Sequence, residues 1–252
     1  TKTNARLVLD PTYADIDYDS FPKENWNEFY GDAKEHVPPN APPPRGKPVK
    51  IRCYVDADHA GDKIPRQSRT GNVIFLNGAP VYWYSKKQNT VETSTFGSEF
   101  VALKIATETL RGLRYKLHMM GIPIAGPSYV YCDNNSVVMN TSAPASTLKK
   151  KSNSIAYHAV RWAVAADEIR VTHISSETNV ADILTKPLPG GAKRDSLVCR
   201  VLHDIVAEVV PQIASIQKVL SSTMRFPLIP LVSKYPRLLS IKQPTINYCW
   251  PA

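Results

Sequence analysis

Four acidic residues are placed where side chains from distant parts of the chain can converge. Asp56 and Asp133 each end a predicted strand, and ligands commonly bind in the crevice outside the strand ends of open sheets. Glu99 lies in the first turn of a long predicted helix, on the side that faces the sheet. Asp182 lies in the first turn of the last predicted helix of the same domain. These four residues are our candidates for catalysis and metal binding.

Each of these carboxylates also has an ordinary structural explanation. An acid in the first turn of a helix favours the helix dipole, and an Asp after a strand commonly starts a turn. The combination is less easily explained, because the sequence indicates no paired cation near any of the four acids. Carboxylates gathered at one sheet edge would repel one another unless hard cations lay between them. Oxygen ligands of this kind favour Mg²⁺ or Mn²⁺.

The charge of the chain indicates a polyanionic partner. The sequence has 31 Lys and Arg against 22 Asp and Glu, which gives a net charge of +9 and a pI near 9.3. The positive excess lies after residue 49, although a basic surface is often no more than a solvated one. Two metal ions held by carboxylates can activate a water for attack on phosphorus and neutralise the leaving oxygen. The chemistry indicated is phosphodiester hydrolysis.

The elements that position these residues follow from the periodicity of the sequence. Residues 49–56 alternate apolar and polar side chains, and residues 71–76 and 80–85 repeat this strand pattern around Asn77-Gly78, a dipeptide typical of hairpins. The period becomes helical between Ser94 and Gly121. Further strands are predicted at residues 128–132 and 169–174, and further helices at residues 134–140, 156–167 and from 178 to Pro187. We therefore predict the α/β class, with a mixed five-stranded sheet flanked by helices.

Changes in composition predict how the chain is divided. Residues 1–48 end in a Pro-rich spacer and are expected to be an extended linker, with the aromatic stretch 26–30 docking on a neighbouring domain or on this one. Residues 49–190 are expected to form the main domain. A C-terminal helix is predicted over residues 191–206, and the tail, residues 207–252, has no clean period and no assigned fold.

Several classes of protein are excluded. No uncharged apolar run approaches the roughly 20 residues that span a bilayer, so we expect no membrane partner. The four cysteines form no metal-binding or disulfide spacing, which predicts reduced thiols and an intracellular setting. The chain begins with Thr and has no leader pattern, so we expect a segment of a longer protein.

A set of motifs resembles the ribonuclease H domain of copia-type retrotransposon polyproteins. The resemblance covers roughly residues 7–206, and residues 1–48 resemble the segment that joins reverse transcriptase to ribonuclease H. The motifs are residues 54–62 (YVDADHAGD), 69–71 (RTG), 85–88 (SKKQ), 92–103 (ETSTFGSEFVAL), 131–136 (YCDNNS) and 181–187 (ADILTKP). The resemblance implies a ribonuclease H-like sheet whose first three strands are antiparallel.

The resemblance also implies an activity and a ligand set. Asp56, Glu99, Asp133 and Asp182 occupy the family's metal-binding positions, so two Mg²⁺ or Mn²⁺ ions are expected. The implied reaction is cleavage of the RNA strand of an RNA/DNA hybrid, recognised through its 2′-hydroxyl groups. The implied partners are the hybrid and an upstream reverse transcriptase domain of the same polyprotein, in a cytoplasmic virus-like particle or in the nucleus.

Polar residues near the four acids are candidates for contact with nucleic acid. They are Lys86, Lys87 and Gln88 after the third strand, Asn134 and Ser136 beside Asp133, and the loop residues Lys149, Lys150 and Lys151. The sequence departs from many ribonucleases H in one place, since the loop before the last Asp, residues 175–179, reads SSETN and has no His. His173 lies earlier, in the fifth strand, where we expect a structural role.

Three functions remain open at this point. The first is the hybrid-cleaving endonuclease, and the second is a catalytically degenerate remnant that still binds nucleic acid, which the missing loop His favours. The third is a DNA-directed nuclease of the same fold, because a fold alone does not fix the substrate. If the four acids do repel one another without metal, Asp56→Asn or Glu99→Gln should leave the fold equally or more stable.

Overall fold

The computed structural model describes residues 5–12, 15–62, 64–147 and 154–204. The chain divides into two compact units, Val8–Val201 and a second formed by Thr1–Leu7 with Leu202–Ala252. In the described part of the second unit, strand β1 (Ala5–Arg6) pairs antiparallel with β7 (His203–Asp204). Residues 207–252 lie outside the described residues.

The unit Val8–Val201 is built on a five-stranded sheet. Its strands are β2 (Ile51–Asp58), β3 (Arg69–Leu76), β4 (Ala79–Lys87), β5 (Ser128–Cys132) and β6 (Ile169–His173), in the order β4-β3-β2-β5-β6. The first three strands are antiparallel, and β5 and β6 are parallel to β2. The predicted mixed five-stranded sheet is confirmed, with the antiparallel start that the ribonuclease H resemblance implies.

The helices lie around this sheet. They are α1 (Asn27–Tyr30), α2 (Thr95–Met119), α3 (Asn135–Ser142), α4 (Ser154–Ala165), α5 (Asp182–Thr185) and α6 (Ala192–Cys199). The long helix begins as predicted, because Ser94 accepts a hydrogen bond from the backbone of Gly97 at 3.2 Å. It ends before Gly121, which adopts a φ of 66° that favours glycine. Among the described helices none is long and apolar enough to cross a membrane.

Alternation along β2 gives the sheet two different faces. Ile51, Cys53 and Val55 are fully buried in the main core with the apolar side of α2. Tyr54 lies on the opposite face, in a smaller cluster with Val73 and residues 180–181. Asn77 has a φ of 53° at the β3–β4 turn, as the predicted Asn-Gly hairpin requires.

The N-terminal segment packs on this unit. Trp26 is 6% exposed and belongs to the main core, and the hydroxyl of Tyr30 lies 2.8 Å from Nδ1 of His158. Glu35 pairs with the buried Arg114, and the backbone N–H of Arg45 donates to the carbonyl of Gly121 at 2.8 Å. The aromatic stretch 26–30 thus docks on this domain, while the domain division at residue 48 stays a prediction.

The last two helices are shorter than the sequence predicts. Residues 175–178 form a turn instead of a helix start, and the side chain of Asn179 donates to the carbonyl of Val55 at 2.9 Å. This tie holds the chain in a non-helical path until Asp182. Helix α6 begins at the predicted position but ends at Cys199, short of the predicted residue 206.

Candidate metal centre

Neighbouring strands bring two of the four acids together. Val55 of β2 is paired with Cys132 of the parallel strand β5, so the next residues of the two segments, Asp56 and Asp133, lie side by side. Asp182, the first residue of α5, joins them, and ligand oxygens of these three acids lie within 4.8 Å of one another. Glu99 offers an oxygen within 4.8 Å of Asp133 and of the Cys132 sulfur. The four predicted acids therefore meet, with Asp133 common to both groups.

A glycine in β3 allows α5 to approach the sheet. Gly71 is paired with Asp56, and a Cβ at this position would lie 2.6 Å from Cγ2 of Thr185 and 3.1 Å from the carbonyl oxygen of Ala181. Any larger residue would therefore push α5 and its Asp182 outward. Sequence analysis noted the motif of residues 69–71 without this role, because the close approach depends on a contact between distant segments.

Burial perturbs the protonation of the cluster. Asp56, Asp182 and Glu99 are 0%, 1% and 5% exposed, and Asp133 is half-buried. Burial raises the pKa of Asp56 to about 6. Burial, with the negative charges of Asp56 and Asp133, raises the pKa of Glu99 to about 9. Burial also raises the pKa of Asp133. The folded protein thus disfavours the ionised form of three of the four acids unless positive charge is supplied.

The donor set fits a hard divalent cation. The Oε2 atom of Glu99 is buried and has no hydrogen-bond partner among the described residues. An oxygen left in that state costs free energy and is available as a ligand. Carboxylate oxygens that lie this close together are the ligands that Mg²⁺ and Mn²⁺ prefer. Cys132 is a poor additional ligand, because burial raises the pKa of its thiol and keeps it neutral.

Two lysines that the sequence reasoning missed contact the cluster. Lys186 Nζ lies 3.0 Å from Oδ1 of Asp56 and 2.8 Å from Oδ1 of Asp182, and Lys193 Nζ lies 3.1 Å from Oδ2 of Asp182. Burial acts to lower the pKa of Lys186, but its hydrogen bond to Asp182 and the charge of Asp56 raise that pKa above its ordinary value. The inference that no cation is near the four acids was wrong.

The sequence contained a signal for one of these pairs. Lys186 stands four positions after Asp182, a spacing that brings side chains together on a helix. The contact of the same lysine with Asp56 depends on how α5 packs on the sheet, and the contact of Lys193 with Asp182 depends on how α6 packs on α5. In addition, the hydroxyl of Thr185 donates a hydrogen bond to Oδ2 of Asp56.

The candidate nucleic-acid residues at the end of β4 differ in their accessibility. Lys86 is exposed, and Lys87 is exposed and forms an ion pair with Asp62. Gln88 is 3% exposed, and its Nε2 donates to Oγ1 of Thr70 at 3.0 Å and to the carbonyl of Ser98 at 2.8 Å. The suggested contact of Gln88 with nucleic acid is therefore corrected: its amide joins β3 to the first turn of α2.

The remaining candidates lie near Asp133 or outside the described residues. Asn134 caps α3 by accepting from the backbone of Val137 at 3.2 Å, and Ser136 is exposed in the first turn of that helix. His173 ends β6 with an exposed side chain. Lys149, Lys150 and Lys151 lie outside the described residues.

Comparisons with known proteins identify relatives among transposon polyproteins. No protein-family model matches the chain. It is 33% identical over 144 residues to the retrovirus-related Pol polyprotein from transposon RE1 of Arabidopsis thaliana, a match that covers 57% of this chain and 10% of the relative. It is also 33% identical over 141 residues to the corresponding polyprotein from transposon TNT 1-94 of Nicotiana tabacum, covering 55% of this chain and 10% of the relative.

A solved ribonuclease H structure is also similar to part of the chain. The chain matches LC11-RNase H1, solved in complex with an RNA/DNA hybrid, with 22% identity and a TM-score of 0.44, over 54% of this chain and 94% of that one. The chain spans only 10% of the length of the polyproteins named above. The relatives of this chain are retrovirus-related Pol polyproteins from plant transposons, which confirms the resemblance seen in its motifs.

Proposed function

We propose that this chain is a metal-dependent endonuclease that hydrolyses the RNA strand of RNA/DNA hybrids during retrotransposon reverse transcription. The observation that carries the proposal is the meeting of four buried or half-buried acids from four separate segments, and one of them, Glu99, keeps an oxygen without a partner among the described residues. Such a cluster is costly in an unliganded protein and is explained by a ligand of positive charge.

In this proposal each of the four carboxylates has its own role at the metal centre. Two bound Mg²⁺ or Mn²⁺ ions would lower the pKa of an attacking water and neutralise the leaving oxygen of the phosphodiester. Asp56 would be a ligand of both ions. Glu99 and Asp133 would help to hold them and would orient the water, and Asp182 would complete one of the two sites. No side chain of this protein acts as the nucleophile.

Substrate binding would come from the polar residues around the acids. Lys86 and Lys87 are exposed and would contact phosphates, with Asn134 and Ser136 at the opposite side of the cluster. Lys149, Lys150 and Lys151 remain proposed contacts, and the net charge of +9 favours a polyanion. We propose further that a polymerase domain of the same polyprotein presents the hybrid, inside the cell, and that the 2′-hydroxyl groups identify the RNA strand.

A cleavage assay tests this function. A hybrid labelled on its RNA strand should be cut in Mg²⁺, whereas Asp133→Asn and Glu99→Gln should abolish cutting. Glu108→Gln is the matched control, because it makes the same chemical change on α2 at an exposed position, where Glu108 forms an ion pair with Lys104. Undiminished cutting by the two site variants would contradict the proposal.

One observation favours the alternative of a degenerate nucleic-acid-binding remnant. Lys186 already neutralises two of the four acids, Asp56 and Asp182. In a protein that no longer cleaves its substrate, this lysine would take the place of a metal ion. Tight binding of the hybrid without cleavage at any Mg²⁺ or Mn²⁺ concentration would support this alternative. Equal cutting of duplex DNA would instead point to a DNA-directed nuclease.

A further inference from the structure

We propose that Lys186 and Lys193 act as a built-in counter-cation of the metal centre, which neutralises Asp56 and Asp182 in the metal-free protein and must be displaced before a divalent ion binds. The inference rests on the proposed metal centre and adds a residue-level control of its affinity. Two lysines outside the acid cluster would thus lower the affinity of the cluster for metal.

The contacts of the two aspartates carry the first step of this inference. Lys186 binds Oδ1 of Asp56 at 3.0 Å and Oδ1 of Asp182 at 2.8 Å. The second oxygen of Asp56 accepts from Thr185, and the second oxygen of Asp182 lies 3.1 Å from Lys193. Every carboxylate oxygen of these two aspartates therefore has a partner. The Lys186 ammonium makes two of the four contacts, the Thr185 hydroxyl makes one, and Lys193 makes the fourth.

Because like charges repel, the lysines and a divalent ion cannot occupy these carboxylate oxygens at the same time. An ammonium within about 3 Å of a ligand oxygen would stand within a few ångströms of a dication bound to that oxygen, where like charges repel strongly. In the described part of the chain, Glu99 and Asp133 form no ion pair, so the lysines neutralise one half of the cluster and leave the other half open. A metal that needs ligands from both halves must therefore compete with the lysines.

Exposure shows how the exchange can occur without rearrangement of the fold. The side chains of Lys186 and Lys193 are 34% and 31% exposed, whereas those of Asp56 and Asp182 are 0% and 1% exposed. A lysine has a flexible four-carbon stem and can turn its ammonium into water. The lysines can therefore leave while the aspartates stay in place.

The position of Lys193 is unfavourable except for these contacts. It is the second residue of α6, where the helix dipole disfavours a cation. Asp182, together with Glu177 at 3.4 Å, offsets that cost. After displacement by metal, Glu177 remains a partner for Lys193, so its release costs less than that of Lys186, which loses both of its carboxylates.

Metal titration of the whole chain, by calorimetry and without nucleic acid, tests the inference directly. Lys186→Met should bind Mg²⁺ and Mn²⁺ at least about fivefold more tightly than wild type, within the usual range for coupled binding events. Lys193→Met should show a smaller gain. Lys104→Met is the control, since it removes a lysine of α2 that is 37% exposed and pairs with Glu108 at 2.9 Å, and the metal affinity of this variant should equal that of wild type.

Thermal melting separates this role from a merely structural one. Without metal, Lys186→Met should melt below wild type, because it leaves two carboxylates unpaired. In saturating Mg²⁺ the difference should vanish or reverse, whereas a purely structural lysine would lower the midpoint equally in both conditions. If Lys186→Met folds only when metal is present, that result supports the inference, and the titration of Lys193→Met still measures the change in affinity.

The outcomes distinguish this inference from the proposed function. Equal metal affinity in wild type, Lys186→Met and Lys193→Met would overturn the inference and leave the metal centre standing. Binding of metal by Lys186→Met alone would support it in its strongest form. An absence of metal binding in every variant would overturn both the inference and the proposed centre.

Discussion

Gly71 and Thr185 are separated by 114 residues in the sequence, yet a Cβ on Gly71 would lie 2.6 Å from Cγ2 of Thr185. The contact joins β3 to the helix that carries Asp182, so the width of one side chain sets how closely the last acid approaches the other three. A glycine in the middle of a strand is otherwise unfavourable, which indicates that its role here is to allow α5 to approach β3 closely.

We expect Gly71→Ala to weaken metal binding and to lower the free energy of unfolding by about 1–3 kcal/mol, as overpacking usually does. The methyl group must displace α5, because the carbonyl of Ala181 also lies 3.1 Å from the added atom. Gly112→Ala is the matched control, since nothing lies within 4 Å of a Cβ there and it lies inside α2. Calorimetric metal titration and denaturant unfolding measure both effects, and a Gly71→Ala protein indistinguishable from wild type would contradict the packing argument.

We expect Glu99→Gln to stabilise the metal-free protein at pH 8 by roughly 1–3 kcal/mol. Its carboxyl is buried beside Asp56 and Asp133 and its pKa is raised to about 9, so folding at pH 8 must protonate this carboxyl, a cost that the neutral amide avoids. Glu108→Gln, at an exposed site of the same helix, should change stability by no more than about 0.5 kcal/mol. Urea unfolding in the presence of a chelator provides the measurement, and a less stable Glu99→Gln protein would be the contrary result.

Asp56→Asn is expected to behave differently from Glu99→Gln. The sequence alone suggested that both changes would relieve repulsion, but Asp56 pairs with Lys186 and accepts a hydrogen bond from Thr185. Removal of its charge leaves the lysine with one partner fewer, so the metal-free protein should lose stability or show no gain. Melting midpoints of the two variants in chelator, measured side by side, check this contrast, and equal gains in both would show that Lys186 contributes nothing.

The stability of the metal-free protein should fall as the pH rises from about 4.5 to about 9. The pKa of Glu99 is higher in the folded state than its ordinary value of 4.5, so the folded state binds the proton more tightly and folding weakens between the two values. One such group contributes at most about 1.4 kcal/mol per pH unit. Asp56, with a pKa of about 6, acts in the same direction at the acidic end of this window.

Unfolding measured in chelator across this pH range tests the dependence. The slope should be reduced in Glu99→Gln and unchanged in Glu108→Gln. A wild-type protein whose stability rises steadily between pH 5 and pH 9 would be incompatible with a buried, protonated Glu99.

The N-terminal segment should contribute to the stability of the domain. Glu35 accepts from Arg114 Nε at 2.7 Å, and the Arg114 side chain is 5% exposed. Loss of hydrogen bonds to a charged group suggests that Glu35→Gln costs roughly 2 kcal/mol. Glu28→Gln, an exposed change in the same segment, is the control. Denaturant unfolding compares the two, and equal stability would mean that residues 15–48 only rest on the domain.

The sequence by itself determined the elements and the identity of the acids. Alternation in residues 49–56, the Asn77-Gly78 turn and the helical period after Ser94 are local signals, so the order of strands and helices could be predicted from them. The four acids could be singled out because each was predicted at the end or in the first turn of such an element, although β2 continues to Asp58 and Glu99 is the fifth residue of α2. Neither inference needed to know how distant segments are arranged.

The tertiary structure alone decided which groups surround those acids. Thr185 and Gly71 enter the site only because α5 packs on the sheet, and Lys193 enters it because α6 packs on α5. Gln88 turns inward because α2 covers it. The docking of residues 26–35 has the same origin, since the partners of Tyr30 and Glu35 lie 128 and 79 residues away in the sequence. Periodicity records which face of an element is apolar, but the pairing of charges and the closeness of two backbones depend on distances that no local pattern encodes.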